Sequence, residues 1–304
     1  MNNSYISAYE YEKNVNPQLT IIPFYERNIK DCNYGIDIID FSELFNVSYK
    51  STTPNLLASF IRLEKNGKID LQNIQYNEFN ATSHLFYVIN GSASIFINNS
   101  DCEYNIFYGD LFITPYFDSL KILNINSEEE LLIYYINDSP LINYLGSKCS
   151  KKIFQTAVYT KEFLLKNLCD LSNPNNNRKG ILLSNKDTEI LGINTITPVL
   201  WALYNELPPR MTQKPHKHNS IALDLCIQCS DNENIYTLIG DELDDNGNIM
   251  NPTKIHWKEG SMFITPPGLW HSHNNNGDTC AYVLPIQDAG LLLYQRILGI
   301  ELTK

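Results

Sequence analysis

Residues 108–115 read YGDLFITP and residues 259–266 read EGSMFITP. Each is a glycine, a small or acidic residue, two apolar residues and then Ile-Thr-Pro. Each follows a run in which apolar and polar positions alternate, SHLFYVINGSASIFI at 83–97 and SIALDLCIQCSDNENIYTLIG at 220–240. Alternation with period two marks strands that bury one face, and short strands separated by Gly, Asn and Asp turns describe a β-barrel or sandwich. A pattern that occurs twice describes two copies of the unit. The expected architecture is all-β, a tandem of two β-domains, and 304 residues are enough to give each a core.

The other segments are placed around this frame. Residues 1–50 contain strand-like QLTIIPFY and GIDIIDF without a unit of their own, and are expected to form an extension that lends strands to a neighbour. Residues 51–137 are the first barrel and 138–190 a connection. The connection is expected to be partly helical, because TKEFLLKNLCDL carries Phe163, Leu164, Leu168 and Leu171 at helical spacing, and SNPNNNRKG (172–180) has turn chemistry. Residues 191–304 are the second barrel, ending in AGLLLYQRILGIELTK, read as a C-terminal helix.

Charge and composition narrow the partners. A net charge of −11 without a basic stripe argues against nucleic acid. No run approaches the roughly 18 apolar residues of a membrane span, and the opening MNNSYISAYEYEKN has no secretory pattern. A cytoplasmic protein with a small-molecule substrate is expected. In that setting the seven cysteines are read as reduced thiols. Cys226 and Cys229, three apart on a strand, should face opposite sides and bind no metal.

Five of the six histidines, His216, His218, His256, His271 and His273, fall between 216 and 273. His-x-His on a strand places both rings on one face about 7 Å apart, a chelating geometry. PHKHNSIALDLCIQC followed by GSMFITPPGLWHSHNN, with Gly260, Pro266, Gly268, His271 and Asn275 in order, resembles the two motifs of the cupin superfamily. The resemblance implies tandem cupin barrels, each a double-stranded β-helix or jelly roll. It implies a metal held by His216, His218 and His271, with Ala222 where many cupins place a glutamate. Three neutral imidazoles suit Fe(II), with Mn, Ni or Zn as other divalent candidates. His256 is read as a bystander. The same alignment on the first barrel, anchored on Gly91 and Gly109, puts Glu78, Asn80, His84 and Leu120 at the ligand positions, so that barrel is expected to be structural.

PVLWALYNELPPR, TPPGLWHSH and LPIQDAGLLLY make residues 195–296 similar to the gentisate 1,2-dioxygenase family, which also includes salicylate-cleaving enzymes. That resemblance implies Trp201 and Trp270 at the substrate, with Asp288 and His273 as catalytic groups that move a proton. It also implies a homodimer or homotetramer. The implied function is a non-haem Fe(II) dioxygenase acting on a small organic molecule. A metal-dependent lyase, hydrolase or isomerase and a non-catalytic small-molecule binder remain open.

Two departures from the family bear on substrate. The competent motifs lie in the second barrel, not the first, and Asp224 stands where the family keeps an arginine. Strand parity sends His216, His218, Ser220, Ala222 and Asp224 inward together. A buried carboxylate needs a partner. For Asp224 that is either a basic residue of the chain or a cationic, donor-rich ligand. Gentisate or salicylate would need another basic residue, such as Arg210 or Lys214, in the lost arginine's place.

Overall fold

The computed structural model describes residues 5–16, 18–72, 77–99, 103–171 and 178–303. The turn reading at 172–180 and Cys102 therefore lie largely or wholly outside the described residues. The strands of the first half are β1 (Glu26–Asn28), β2 (Gly35–Ile39), β3 (Leu57–Leu63), β4 (Lys68–Gln72), β5 (Ser83–Asn90), β6 (Ser92–Ile97), β7 (Glu103–Phe107), β8 (Leu111–Pro115), β9 (Ser119–Asn124) and β10 (Leu131–Asn137). The connection adds β11 (Ala157–Tyr159) and β12 (Lys179–Leu183). The second half has β13 (Trp201–Leu207), β14 (Met211–Thr212), β15 (His216–His218), β16 (Ala222–Gln228), β17 (Ile235–Gly240), β18 (Thr253–His256), β19 (Ser261–Thr265), β20 (Trp270–Asn275), β21 (Ala281–Gln287) and β22 (Ile300–Leu302).

These strands form two jelly rolls of the cupin type, each made of two antiparallel sheets. The first pairs β11-β8-β5-β10-β3-β2 with β4-β9-β6-β7, and the second pairs β1-β19-β16-β21-β13-β12 with β18-β17-β20-β15-β22. Strands are exchanged across sequence boundaries. β1, from the N-terminal segment, joins the second barrel through β19, while β2 joins the first through β3. β11 and β12 extend one barrel each.

The repeated glycine has a structural cause. Gly109 and Gly260 take left-handed backbone (φ +85° and +76°) in the turns entering β8 and β19. Their amides donate to equivalent carbonyls on the neighbouring strand, Val88 and Cys226, each at 2.9 Å. A side chain at Gly109 would strike Lys161 at 2.6 Å, so both conformation and space select glycine there.

The β11-to-β2 sheet of the first barrel packs against the β1-to-β12 sheet of the second. Phe60, Leu85, Tyr87 and Ile136 from one and Leu223, Leu225, Ile264 and Ile286 from the other lie in one buried cluster, while alternate residues fill the separate barrel interiors. Burial on both faces explains why β10, LLIYYIN, reads as an almost unbroken apolar run.

Three local expectations change. The C-terminal helix covers only Ala289–Tyr294, and the chain then turns at Arg296 (φ +63°) and returns as strand β22. The connection helix spans Lys161–Cys169, capped by the Thr160 hydroxyl, and buries Leu164 and Leu168 but leaves Phe163 and Leu171 exposed. Cys226 and Cys229 share one buried cluster because a bulge between Cys226 and Gln228 rephases β16. Among the described residues no helix is long and apolar enough to cross a membrane.

Candidate metal centre

Strand β15 carries His216 and His218, and its neighbour β20 sets His271 directly opposite His216. One ring nitrogen from each of the three lies within 4.8 Å of the others. His218 Nδ1 meets the Ser220 carbonyl at 2.9 Å and His271 Nδ1 meets the Leu269 carbonyl at 3.1 Å. A carbonyl accepts only, so Nδ1 of both rings carries the proton and each Nε2 keeps its lone pair for a cation. His216 Nδ1 is buried without a hydrogen-bond partner. Burial lowers the pKa of all three rings, so all are neutral at pH 7. Three neutral imidazoles, two of them oriented by backbone carbonyls, beside a methyl group at Ala222 fit a divalent transition metal with coordination positions left open.

The three rings face a cavity of about 290 Å³, near the lower end of small-molecule sites at roughly 300–1,000 Å³. The opposite sheet supplies Trp201, Leu203, Asn205, Asp224, Pro285 and Gln287. Trp201 Nε1 is a buried donor without a partner. His273 also lines the cavity, and Thr237 Oγ1 receives the Trp257 indole N–H and contacts His273 Nδ1, both at 2.8 Å. The hydroxyl keeps its proton and a second lone pair for that contact, so Thr237 holds the His273 ring in place with either tautomer, and His273 sits beside the three imidazoles without belonging to their cluster.

Arg178, which sequence reasoning missed, enters the cavity from the start of β12. One of its terminal nitrogens donates to the Lys214 carbonyl at 2.5 Å, and no carboxylate pairs with it among the described residues. Burial pushes its pKa down, yet a guanidinium stays charged. The other basic candidates are elsewhere: Arg210 is an exposed partner of Asp278 at 2.6 Å, and Lys214 contributes its carbonyl to Arg178.

Asp224 faces inward, as strand parity requires, but its partner is the Thr265 hydroxyl at 2.6 Å, not a basic residue. Complete burial raises its pKa to about 7. The sign follows from linkage. A carboxyl whose folded pKa exceeds its unfolded value favours the folded state when protonated, so stability is lost as pH rises from about 4 through 7. In metal-free protein Asp224→Asn should therefore be more stable than the unaltered chain at pH 8, by up to about 4 kcal/mol, with the difference vanishing near pH 4. Urea unfolding at the two pH values reads this directly.

Two expected site residues, Trp270 and Asp288, do not line the cavity, and His256, read as a bystander, lies outside it as well. Trp270 faces the other side of β20 from His271 and lies under Lys217 Nζ, 4.7 Å from the ring centre. His256 is exposed and bonds to the Asn232 carbonyl at 3.0 Å. Asp288 is buried between Asn55 Nδ2 at 2.7 Å and the Ile221 amide at 3.0 Å. Its counterpart in the first barrel, Asp138, likewise accepts the Ser83 amide at 2.9 Å. A contact repeated in both barrels points to bracing of the strand entrance. Asp288→Ala is expected to cost about 1–3 kcal/mol of stability while metal loading stays at the level of the unaltered chain; melting and metal analysis of the same sample separate the two.

No protein-family model and no curated protein sequence matches the chain. Solved structures do. Salicylate 1,2-dioxygenase from Pseudaminobacter salicylatoxidans superposes with TM-score 0.68 at 11% identity, over 95% of this chain and 90% of that one. Its adduct with gentisate gives TM-score 0.69 at 11% identity, over 95% and 87%. Vicilin from hazelnut, Corylus avellana, gives TM-score 0.52 at 11% identity, over 87% and 83%. At this identity the likenesses establish the fold: the chain shares its two-barrel architecture with these proteins.

Proposed function

We propose that the protein is a non-haem Fe(II)-dependent dioxygenase acting on a small organic acid whose carboxylate is bound by Arg178. The observation that carries this reading is one cavity holding both three clustered neutral imidazoles and a guanidinium without a carboxylate partner among the described residues. The chain's resemblance to the gentisate 1,2-dioxygenase family supports it. So does the fold shared with salicylate 1,2-dioxygenase, whose adduct with gentisate has been solved.

Fe(II) held by imidazoles would supply a redox-active Lewis acid with positions open to substrate oxygens and O2. The chain's own groups do the rest. Arg178 binds and orients the carboxylate through paired N–H bonds. Trp201 Nε1–H adds a donor for a further oxygen, and the neutral His273 ring adds a second polar group beside it. Leu203, Ile181 and Pro285 line the cavity with apolar surface that excludes water. Asp224, half protonated near neutral pH, is poised to hold or release a proton at its carboxyl.

The test is anaerobic loading with Fe(II), followed by an O2 electrode with salicylate, gentisate and related ring acids. Uptake of one O2 per acid consumed, absent without the acid, is the expected result. A chain that binds metal and acid but takes up no O2 would turn the reading to non-redox chemistry.

A further inference from the structure

Taking the metal-site reading above as its basis, we propose that the C-terminal strand β22 is the gate of the metal cavity, opening to admit metal and small molecules and closing over them. The second barrel's two sheets end at β12 on one side and β22 on the other, and both edge strands line the cavity, β12 through Ile181 and Leu182, β22 through Ile300 and Leu302. The seam between these edges is the way in.

Strand β22 is built to detach. Among the described residues it pairs with one neighbour, β15, in the register Leu302–His216, Lys217–Glu301 and Ile300–His218, so it lies against the strand that carries two of the imidazoles. None of its three residues is buried; Ile300 is 43% and Leu302 53% exposed although both face the cavity. Its side-chain anchor is an ion pair, Lys217–Glu301 at 3.2 Å, worth little in water. A segment with exposed backbone hydrogen bonds and no buried apolar anchor sits at the low end of local stability and opens well before the fold does.

The tethers are unequal, three contacts before the strand against two after it, so opening releases the Thr303 end and swings about the Asn219 end. Before the strand, Asn219 brackets the chain: its amide donates to the Gly299 carbonyl at 3.1 Å, its side chain donates to the Ile297 carbonyl at 2.7 Å, and its Oδ1 accepts the Gly299 amide at 2.8 Å. After the strand, Thr303 donates to the Pro215 carbonyl through its hydroxyl at 2.9 Å and its amide at 3.2 Å. Arg296 and Gly299 lie on the Asn219 side and supply the turn about which the strand swings.

The experiment compares three chains: the full chain, a chain ending at Gly299, and a Lys217→Cys/Glu301→Cys chain in which the directly opposed pair is oxidised to a disulfide that staples β22 to β15. The first readout is release of Fe(II) from loaded protein to an excess of colorimetric chelator. The second, made on metal-free protein in a Trp270→Phe background, is acrylamide quenching of Trp201 fluorescence, with buried Trp257 as a constant baseline. Truncation should speed release about tenfold or more and raise quenching. The staple should slow release and lower quenching, and reductant should restore both. Should truncation prevent folding, the stapled chain decides alone. Equal release and equal quenching with the staple open or closed would overturn the gate. A full chain that takes up no metal, yet shows the staple-dependent quenching, would instead overturn the metal-site reading and leave the gate standing.

Discussion

A His271→Ala chain should carry no stoichiometric divalent metal, whereas the unaltered, untagged protein carries about one per chain. The expectation follows from what remains when the ring is gone. His216 and His218 sit on the same three-residue strand with ring centres 5.9 Å apart, while His271 is the group that stands between them, 4.0 Å from one and 4.8 Å from the other. No carboxylate can substitute: the motif position is Ala222, and Asp224 is tied to Thr265. Two imidazoles then compete with water for an ion they cannot enclose, and any turnover that depends on the metal should fall about a hundredfold or more with it. Protons should compete only weakly in the unaltered chain. Burial holds the pKa values of all three rings below 6.5, so loading should be flat through neutral pH and decline only in more acidic solution. Elemental analysis across a pH series checks both points. Retention of metal in the variant, or a stoichiometry near two, would place the site elsewhere.

Comparing the barrels shows how the second makes room for its cavity. His84 and Ala222 hold the same register, each opposite a threonine on one neighbour and an Asn or Gln on the other, and Phe86 and Asp224 follow two residues later. Across from these stand Tyr135 in the first barrel and Pro285 in the second. In the first barrel Phe86 stacks on Tyr135 with ring centres 4.4 Å apart, and His84 packs on Phe117 at 4.3 Å while its Nδ1 meets the Tyr135 hydroxyl at 2.8 Å. The other aligned positions form no ligand cluster among the described residues: Glu78 is half-buried, Asn80 bonds to the backbone of Ser147 and Cys149, and Leu120 packs as an apolar side chain in the same cluster as Phe86 and Tyr135. Large rings fill one interior, and Ala222 with Pro285 leave room in the other.

That contrast marks how far the sequence could be read. Period-two alternation and the repeated Gly…Ile-Thr-Pro segment are local signals, and they carried the two-barrel fold and the inward set His216, His218, Ala222 and Asp224. Strand parity also places Trp270 opposite to His271; family resemblance set it at the substrate against that rule. The Cys226–Gln228 bulge leaves no composition trace, so two thiols three residues apart were put on opposite faces. Helical spacing in residues 289–298 concealed the turn at Arg296, because left-handed backbone at an arginine has no sequence signature. Asp288 could have been read correctly from the chain itself, since IND at 136–138 and IQD at 286–288 align in barrels that differ in their ligand sets. Arg178 was beyond reach. It lies far ahead of the histidines, and only the long-range pairing of β12 with β13 carries it into their cavity.

Arg178→Gln is accordingly the substitution that should separate substrate from metal. The variant keeps the three imidazoles and should load metal fully, but it loses the cavity's guanidinium. Loss of a charge-assisted contact costs about 1.5–3 kcal/mol, so affinity for a ring acid such as salicylate should fall roughly ten- to a hundredfold. Arg178→Lys should recover little, because a point charge does not reproduce two parallel N–H bonds to a carboxylate. Stability should hold or rise slightly, since the charge removed is desolvated and unpaired in the empty cavity. Titration of the acid against metal-loaded protein, with Asp224→Asn alongside, gives the decisive comparison. If Arg178→Gln binds the acid as well as the unaltered chain does, the carboxylate is not held there. If Asp224→Asn is instead the variant that weakens binding of a cationic or donor-rich ligand, then Asp224 reads the substrate, and the exchange of the family's arginine for aspartate is the change that set its specificity.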